Sequence, residues 1–265
     1  LIQIVKENLG FRKQIVKLSK SELIKTYKGA ALGPLWAVIK PAIQIFVFWF
    51  AFQVGLRNNR PVHGFDFFIF LLVGMIPWFF MNESILEGAR CIRHNKHFVT
   101  KTPFPVGTIM TYTSLSHLYI HFVLVAIMYV ILLFSGVMPS IYNIQILFYM
   151  PMMYAFFTCL SWITAPLSAI SKDFENVVRS VINAIFWLSG IIWDQDTLGN
   201  GITKHILQLN PVNYFANGYR NTFLYKRWFW ETPYETVCFL AILAGVFFLG
   251  AFVYRRLRKT IPDVL

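Results

Sequence analysis

Apolar residues run along this chain in stretches near twenty residues long, broken by short segments where charge returns. Six stretches can be read, at about Leu35–Leu56, Phe65–Asn82, Ile109–Phe134, Ile144–Ile170, Val177–Trp193 and Thr236–Tyr254. About twenty apolar residues in a helix cross the hydrocarbon core of a bilayer. The pattern therefore predicts an all-α membrane protein with six transmembrane helices. Two segments fit neither span nor plain loop. Ser19-Lys-Ser-Glu22 has the form of a capping box, and Leu23, Ile24, Tyr27 and Ala31 follow it at helical spacing. With Lys20, Lys25 and Lys28 alongside, it reads as an amphipathic interface helix on the inner membrane face, or else as an ordinary solvated juxtamembrane helix. The other segment, Asp194–Glu235, holds Asn210-Pro211 through Arg220, which is rich in aromatics and too short and polar to cross. Short re-entrant helices between the fifth and sixth spans are expected there.

Composition supports a membrane protein. Of 265 residues, 57% are hydrophobic and 14% charged, against about 45–50% and about a quarter in soluble domains. A soluble enzyme, a disordered chain and a secreted disulfide scaffold are excluded. Cys91, Cys159 and Cys238 are widely spaced and form no CxxC pair, so neither a disulfide nor a metal cage is expected. The first thirty residues are broken by charge every few positions, unlike a signal peptide.

The net charge of +12 is concentrated between the apolar runs. Lys6, Arg12, Lys13, Lys17, Lys20, Lys25 and Lys28 precede the first span. Arg90, Arg93, Lys96 and Lys101 lie between the second and third, and Arg255, Arg256, Arg258 and Lys259 follow the last. Ser135–Asn143 has no basic residue, Arg57–Gly64 has two, and the long Asp194–Glu235 has four. The positive-inside rule places both termini in the cytoplasm, and membrane topology rather than nucleic-acid binding explains the charge.

By these boundaries none of the twelve acids lies at the middle of a span, which argues against an ion-coupled transporter. His117 and His121 stand four residues apart on the third span without an evident third ligand, so packing is the default and metal binding the alternative. No GxxxxGK[ST], GxSxG or HExxH occurs, so no catalytic residue, cofactor site or metal site is assigned. The link Glu87–Lys101 is basic with Ile92, Phe98 and Val99 as apolar anchors. It reads either as a short helix that docks into a partner or as a positive-inside loop without one.

Several motifs together resemble the type-2 ABC-transporter permeases that export polysaccharides. They are Glu22-Leu-Ile-Lys-Thr-Tyr-Lys-Gly29, Leu32-Gly-Pro-Leu-Trp36, Lys40-Pro-Ala42, Pro77-Trp-Phe-Phe80, Lys101-Thr-Pro-Phe-Pro105, and Asn210-Pro211 followed by Tyr219-Arg220. Within that family, Pro41-Ala-Ile-Gln-Ile-Phe-Val-Phe-Trp49, Gly55-Leu-Arg57, Val62-His-Gly64 and Phe80-Met-Asn-Glu-Ser-Ile-Leu-Glu-Gly88 look most like wall teichoic acid exporters, with O-antigen and capsule exporters as close competitors. The resemblance covers nearly the whole chain. It implies one permease domain over 1–265: a cytoplasmic interface segment 1–34, a membrane domain 35–255 and a tail 256–265.

The resemblance further implies a homodimer in the bacterial cytoplasmic membrane, joined to two copies of a separate ATPase subunit that carries ATP and Mg. The substrate would be a polymer on an undecaprenyl diphosphate carrier. The interface helix maps to about Phe11–Ala31, with Glu22, Lys25, Tyr27 and Lys28 at its end. The coupling helix maps to about Arg90–Thr100, with Arg90, Arg93, His94, Asn95, Lys96 and Phe98 meeting the ATPase. The turn Lys172-Asp173-Phe174-Glu175 is a second contact, through Asp173 and Glu175. An ATPase-independent channel and an intramembrane lipid-modifying enzyme are the rival classes.

Basic residues would gather phosphates at the entrance of such a path, and aromatic faces would let sugars slide. Lys40, Trp49, Arg179, Trp187, Tyr214, Tyr219 and Arg220 are the candidate path residues, with Lys25 and Lys28 near the entrance and Phe46, Phe50, Phe186 and Trp193 as further aromatics. Lys40, one turn inside the first span, either snorkels to headgroups or faces a cavity. Trp and Tyr also form interfacial belts and Phe faces lipid, so no single aromatic is fixed as lining.

Overall fold

In the computed structural model the described residues are 2–55, 61–101, 104–199 and 201–265. Regular structure among them is helical, apart from one isolated bridge between Val62 and Phe65. The chain opens with α1 (Ile2–Gly10) and α2 (Arg12–Tyr27), then α3 (Trp36–Trp49), which runs on as a π turn to Gly55. Next come α4 (Phe67–His94), α5 (Lys96–Lys101), α6 (Gly107–Phe134), α7 (Ile146–Ile170) and α8 (Lys172–Leu188). The short α9 (Ile202–Gln208) and α10 (Pro211–Arg220) precede α11 (Pro233–Leu257) and α12 (Ile261–Val264).

Among the described residues five helices, those containing α3, α4, α6, α7 and α11, are long and apolar enough to cross a membrane. The chain is thus a multi-pass membrane protein. The fifth expected span, Val177–Trp193, is not among the five. It falls on α8, whose first half holds Lys172, Asp173, Glu175 and Arg179 and whose buried Val178, Ile182 and Phe186 form a single stripe. One buried stripe at a spacing of four is the pattern of a one-sided amphipathic helix. Gly55-Leu-Arg57 extends outside the described residues, as does Pro103.

The core is built around α4, which packs against α7, α6, α10, α8 and α3. Asp66 starts it, its side chain accepting from the Phe68 N–H at 2.8 Å, so one of the orphan donors of the first turn is satisfied. Glycines let neighbouring helices close in, as is usual between membrane helices. A Cβ on Gly88 of α4 would strike the Ser161 side chain of α7, and one on Gly250 of α11 would lie 2.7 Å from the Cys159 carbonyl.

Both chain ends gather at one end of the bundle, called the terminal end below. Glu7 and Arg258 approach to 3.8 Å, and α12 packs on α5 and α7. A small apolar cluster there joins Ile4, Ile15, Ile92, Met110, Trp162, Tyr254 and Ile261, while a larger one fills the rest of the bundle.

Two expected boundaries are corrected. The second span does not stop at Asn82, because α4 continues for three more turns to His94. Glu83 and Glu87 therefore lie on the helix Phe67–His94, in its C-terminal half. Nor does Ser19 begin a helix. The α2 helix starts at Arg12, and Ser19 is buried inside it, with Oγ donating to the Val16 carbonyl at 2.9 Å and lying 3.2 Å from the Tyr119 hydroxyl on α6. The capping-box letters mark a helix-packing contact instead.

Candidate partner-coupling surface and substrate path

At the terminal end, the expected coupling helix Arg90–Thr100 is two helices meeting at Asn95. Arg90, Arg93 and His94 form the last turn of α4, and Lys96 and Phe98 lie on the six-residue α5. The break has a local cause: Asn95 is buried, and its side-chain amide donates back to the Cys91 carbonyl at 3.0 Å. Besides Asn95, three more of the expected contact residues are engaged within the chain. Arg90 forks onto both carboxylate oxygens of Glu87. Arg93 donates to the carbonyls of Ser168 and Ala169, capping the end of α7 with a cation where the helix dipole is negative. Phe98 packs at a tilt against the rings of His97 and Phe104, and Phe104 in turn meets Phe11 edge-on.

What this arrangement leaves outward is His94, Lys96, His97 and Thr100, all exposed. Asp173 is exposed nearby at the start of α8, directly after the α7 end that Arg93 holds. Glu175 pairs with Arg179 at 2.7 Å. The result is a small basic ledge beside an acidic turn, fixed to the bundle by Arg93 and Phe98. At the end of α2, Glu22 pairs with Lys25 at 3.6 Å and Lys28 is exposed. The Tyr27 phenol is pushed up in pKa by burial and then by the neighbouring Glu83 carboxylate.

The candidate path residues do not come together. Lys40 faces a cavity of about 200 Å³ between α2, α3, α4 and α6. Trp49 lines a much larger one, about 990 Å³, at the far end. Arg179 and Trp187 lie exposed on α8. Tyr214, Tyr219 and Arg220 are shut inside the bundle of this chain, at 3%, 0% and 1% exposure. Arg220 is a clamp: Nη1 donates to the Gly190 carbonyl and Nη2 to that of Ile191, both at 2.5 Å. Its guanidinium also lies 3.6 Å from the centre of the Phe70 ring. A buried guanidinium needs this many partners to repay its lost hydration. Tyr219 places its hydroxyl 2.5 Å from His121 Nε2, which gives that histidine a packing role. Tyr214 stacks flat on Phe239, 4.5 Å between ring centres.

These features sit on a recognisable sequence. The family model described as ABC-2 type transporter matches residues 13–224. The chain belongs to that family. An ABC-2 permease normally pairs with an ATPase subunit, and the ledge around α5 presents exposed polar side chains at the terminal end. Among similar proteins is an O-antigen export system permease protein RfbA of Myxococcus xanthus, 25% identical over 228 residues that cover 86% of each chain. Another of the same description, from Klebsiella pneumoniae, is 23% identical over 266 residues and covers 98% of each.

Some polar residues of this ABC-2 permease escaped the sequence reading. Glu83 and Glu87 turn into cavities of the terminal half, with His117 on the facing helix. The missed signal was the helical register: Ser84, Gly88 and Ala89 keep the buried face of α4 going past Asn82. At the far end His63 Nε2 lies 2.9 Å from Asp194 and 3.6 Å from Asp196, and Lys204 reaches Asp196 at 2.8 Å. Among the described residues this is the cluster with metal-ligand spacing, but its lysine already neutralises one carboxylate.

Proposed function

We propose that this chain is the membrane-spanning subunit of an ATP-driven exporter of carrier-lipid-linked polysaccharide, of the O-antigen class. The observation that carries the reading is the ledge of His94, Lys96, His97 and Thr100, braced by Arg93 on the end of α7 and set beside Asp173. A short helix rigidly fixed at one end and polar outward suits the transmission of a partner's movement into α4 and α7. Two ATPase subunits carrying ATP and Mg would engage two copies of the chain, both termini facing the cytoplasm. The similarity to O-antigen export permeases supports that cargo over the wall teichoic acid that the motifs between Pro41 and Gly88 suggested. Cargo would be a polymer on an undecaprenyl diphosphate carrier, with α9 and α10 as re-entrant helices on the outer side.

In this reading ATP-driven closure of the partners pushes on α5, and Arg93 passes the displacement to α7 while the continuous α4 carries it inward. Lys28, exposed at the end of α2, supplies positive charge where the diphosphate would arrive. The test is ATP hydrolysis by the co-purified complex in nanodiscs with different carrier-linked polymers added. Stimulation by an O-antigen-type glycan and not by a polyol-phosphate polymer is expected. The reverse preference restores the teichoic acid assignment, and an active chain without any ATPase removes the exporter reading.

A further inference from the structure

Along the inner side of α3 a groove separates that helix from α4 and α6, and its chemistry changes with depth. At the terminal end two adjoining cavities, of about 360 and 200 Å³, share Thr26, Glu83 and His117 in their walls. The second meets an apolar cavity of about 280 Å³ at Pro41 and Leu124, lined also by Ile45, Leu72, Ile76 and Met128. From His117 to Ile131 on α6 the groove covers about 20 Å at 1.5 Å per residue.

The charges at the mouth are nearly cancelled in pairs. Lys25 takes Glu22, and Arg90 takes Glu87. Lys40 and Glu83 remain, one cation and one anion, both exposed and both facing the 200 Å³ cavity. Behind them the wall holds polar atoms with no partner: Thr113 Oγ1, on a residue only 5% exposed, and His117 Nε2. Buried polar atoms are rarely left in this state without a ligand or water to meet them.

We propose that the groove holds one resident phospholipid with an amine headgroup, of the phosphatidylethanolamine type. The ammonium lies on Glu83, the phosphate on Lys40 with His117 donating, and one acyl chain runs along Ile45, Ile76 and Leu124. Charge complementarity selects this occupant. A headgroup with phosphate and no amine sets a second anion beside Glu83 and competes for the Lys40 charge that already acts on it, and an apolar occupant offers neither charge a hydrogen-bonding partner. The lipid would cement α3, the helix that protein packs least, to the rest of the chain.

The test uses the full chain, with whatever ATPase accompanies it, in nanodiscs of equal phosphatidylethanolamine and phosphatidylglycerol. After extraction in mild detergent, lipid retained per chain is counted by mass spectrometry. One phosphatidylethanolamine per chain is expected, enriched about tenfold over phosphatidylglycerol, the ratio that a modest binding difference produces. Glu83→Gln at the mouth and Ala42→Phe, which fills the slot from the exposed side of α3, should each abolish the enrichment while the melting temperature in detergent stays within the folded range. Should one variant fail to fold, Lys40→Gln replaces it with the same expected loss. Equal retention of the two lipids, no retention, or enrichment unaffected by the variants overturns the proposal. So does recovery of a polyprenyl diphosphate from native membranes in place of the phospholipid, which would give the groove to the cargo. Each result is read on this chain whether or not an ATPase co-purifies, so it stands apart from the exporter reading.

Discussion

Helices α3 and α4 have almost the same mean hydropathy and opposite surroundings. In its most apolar stretch α4 is 72% buried, whereas the helix containing α3 is 6% buried. Ile45 is the one buried residue that α3 contributes, while Ile43, Phe46 and Val47 stand outward. The difference lies in what each helix offers at close range. Gly74 and Gly88 of α4 let Arg220 and Ser161 approach its backbone, but α3 presents branched and aromatic bulk. Inside a bilayer apolarity does not drive helices together, because lipid is as apolar as leucine. Close packing and hydrogen bonding do. One helix is therefore a protein core, and the other a largely exposed helix at its edge.

The sharpest way to break that contrast is at Arg220, which joins α10 to α4 and to the chain after α8. Arg220→Ala strands the carbonyls of Gly190 and Ile191 and opens a cavity beside Gly74. A loss of about 3–5 kcal/mol is expected, from two stranded buried carbonyls at about 1–3 kcal/mol each together with the cavity left by a large side chain. It should appear as failed accumulation or a large fall in melting temperature in detergent. A matched pair comes next. Leu71→Ala on α4, at 0% exposure, should cost about 2–5 kcal/mol, and Val47→Ala on α3, at 54%, under about 0.5 kcal/mol. Equal melting temperatures for these two variants would erase the distinction between core and peripheral helix.

A smaller effect belongs to the terminal end. Arg93→Ala uncaps α7 and should cost about 1–3 kcal/mol, the value of a charge-assisted hydrogen bond. It should also reduce ATPase stimulation by cargo beyond what the stability loss explains, because Arg93 ties the ledge to the bundle. The smallest effect on the fold is expected from Lys96→Glu with His97→Glu. Both side chains are exposed, so the melting temperature should not move, yet partner assembly should be lost.

Much of the fold was legible because apolar runs and breaks in charge have the length scale of a bilayer. The spans at Ile109–Phe134, Ile144–Ile170 and Thr236–Tyr254 differ from α6, α7 and α11 by a few residues at most. The end of α4 was not legible, since Glu83, Glu87 and Arg90 mimic a loop in composition while a periodic face of small residues carries the helix onward. Tyr219 and Arg220 show a complementary limit. Letters that suit a sugar path also suit a clamp, and only the placement of Gly74, Phe70 and His121 separates the two. Likewise the break at Asn95 depends on burial of its amide, which no spacing reveals.

The central claim is that the ledge around α5 couples this permease to a separate ATPase. Its most direct test is co-purification from native membranes in mild detergent, comparing the unaltered chain with the Lys96→Glu, His97→Glu double variant. An ATPase chain should come down in equal amount with the first and be absent with the second, at unchanged melting temperature. Recovery of the ATPase in full with both, or with neither, would contradict the account.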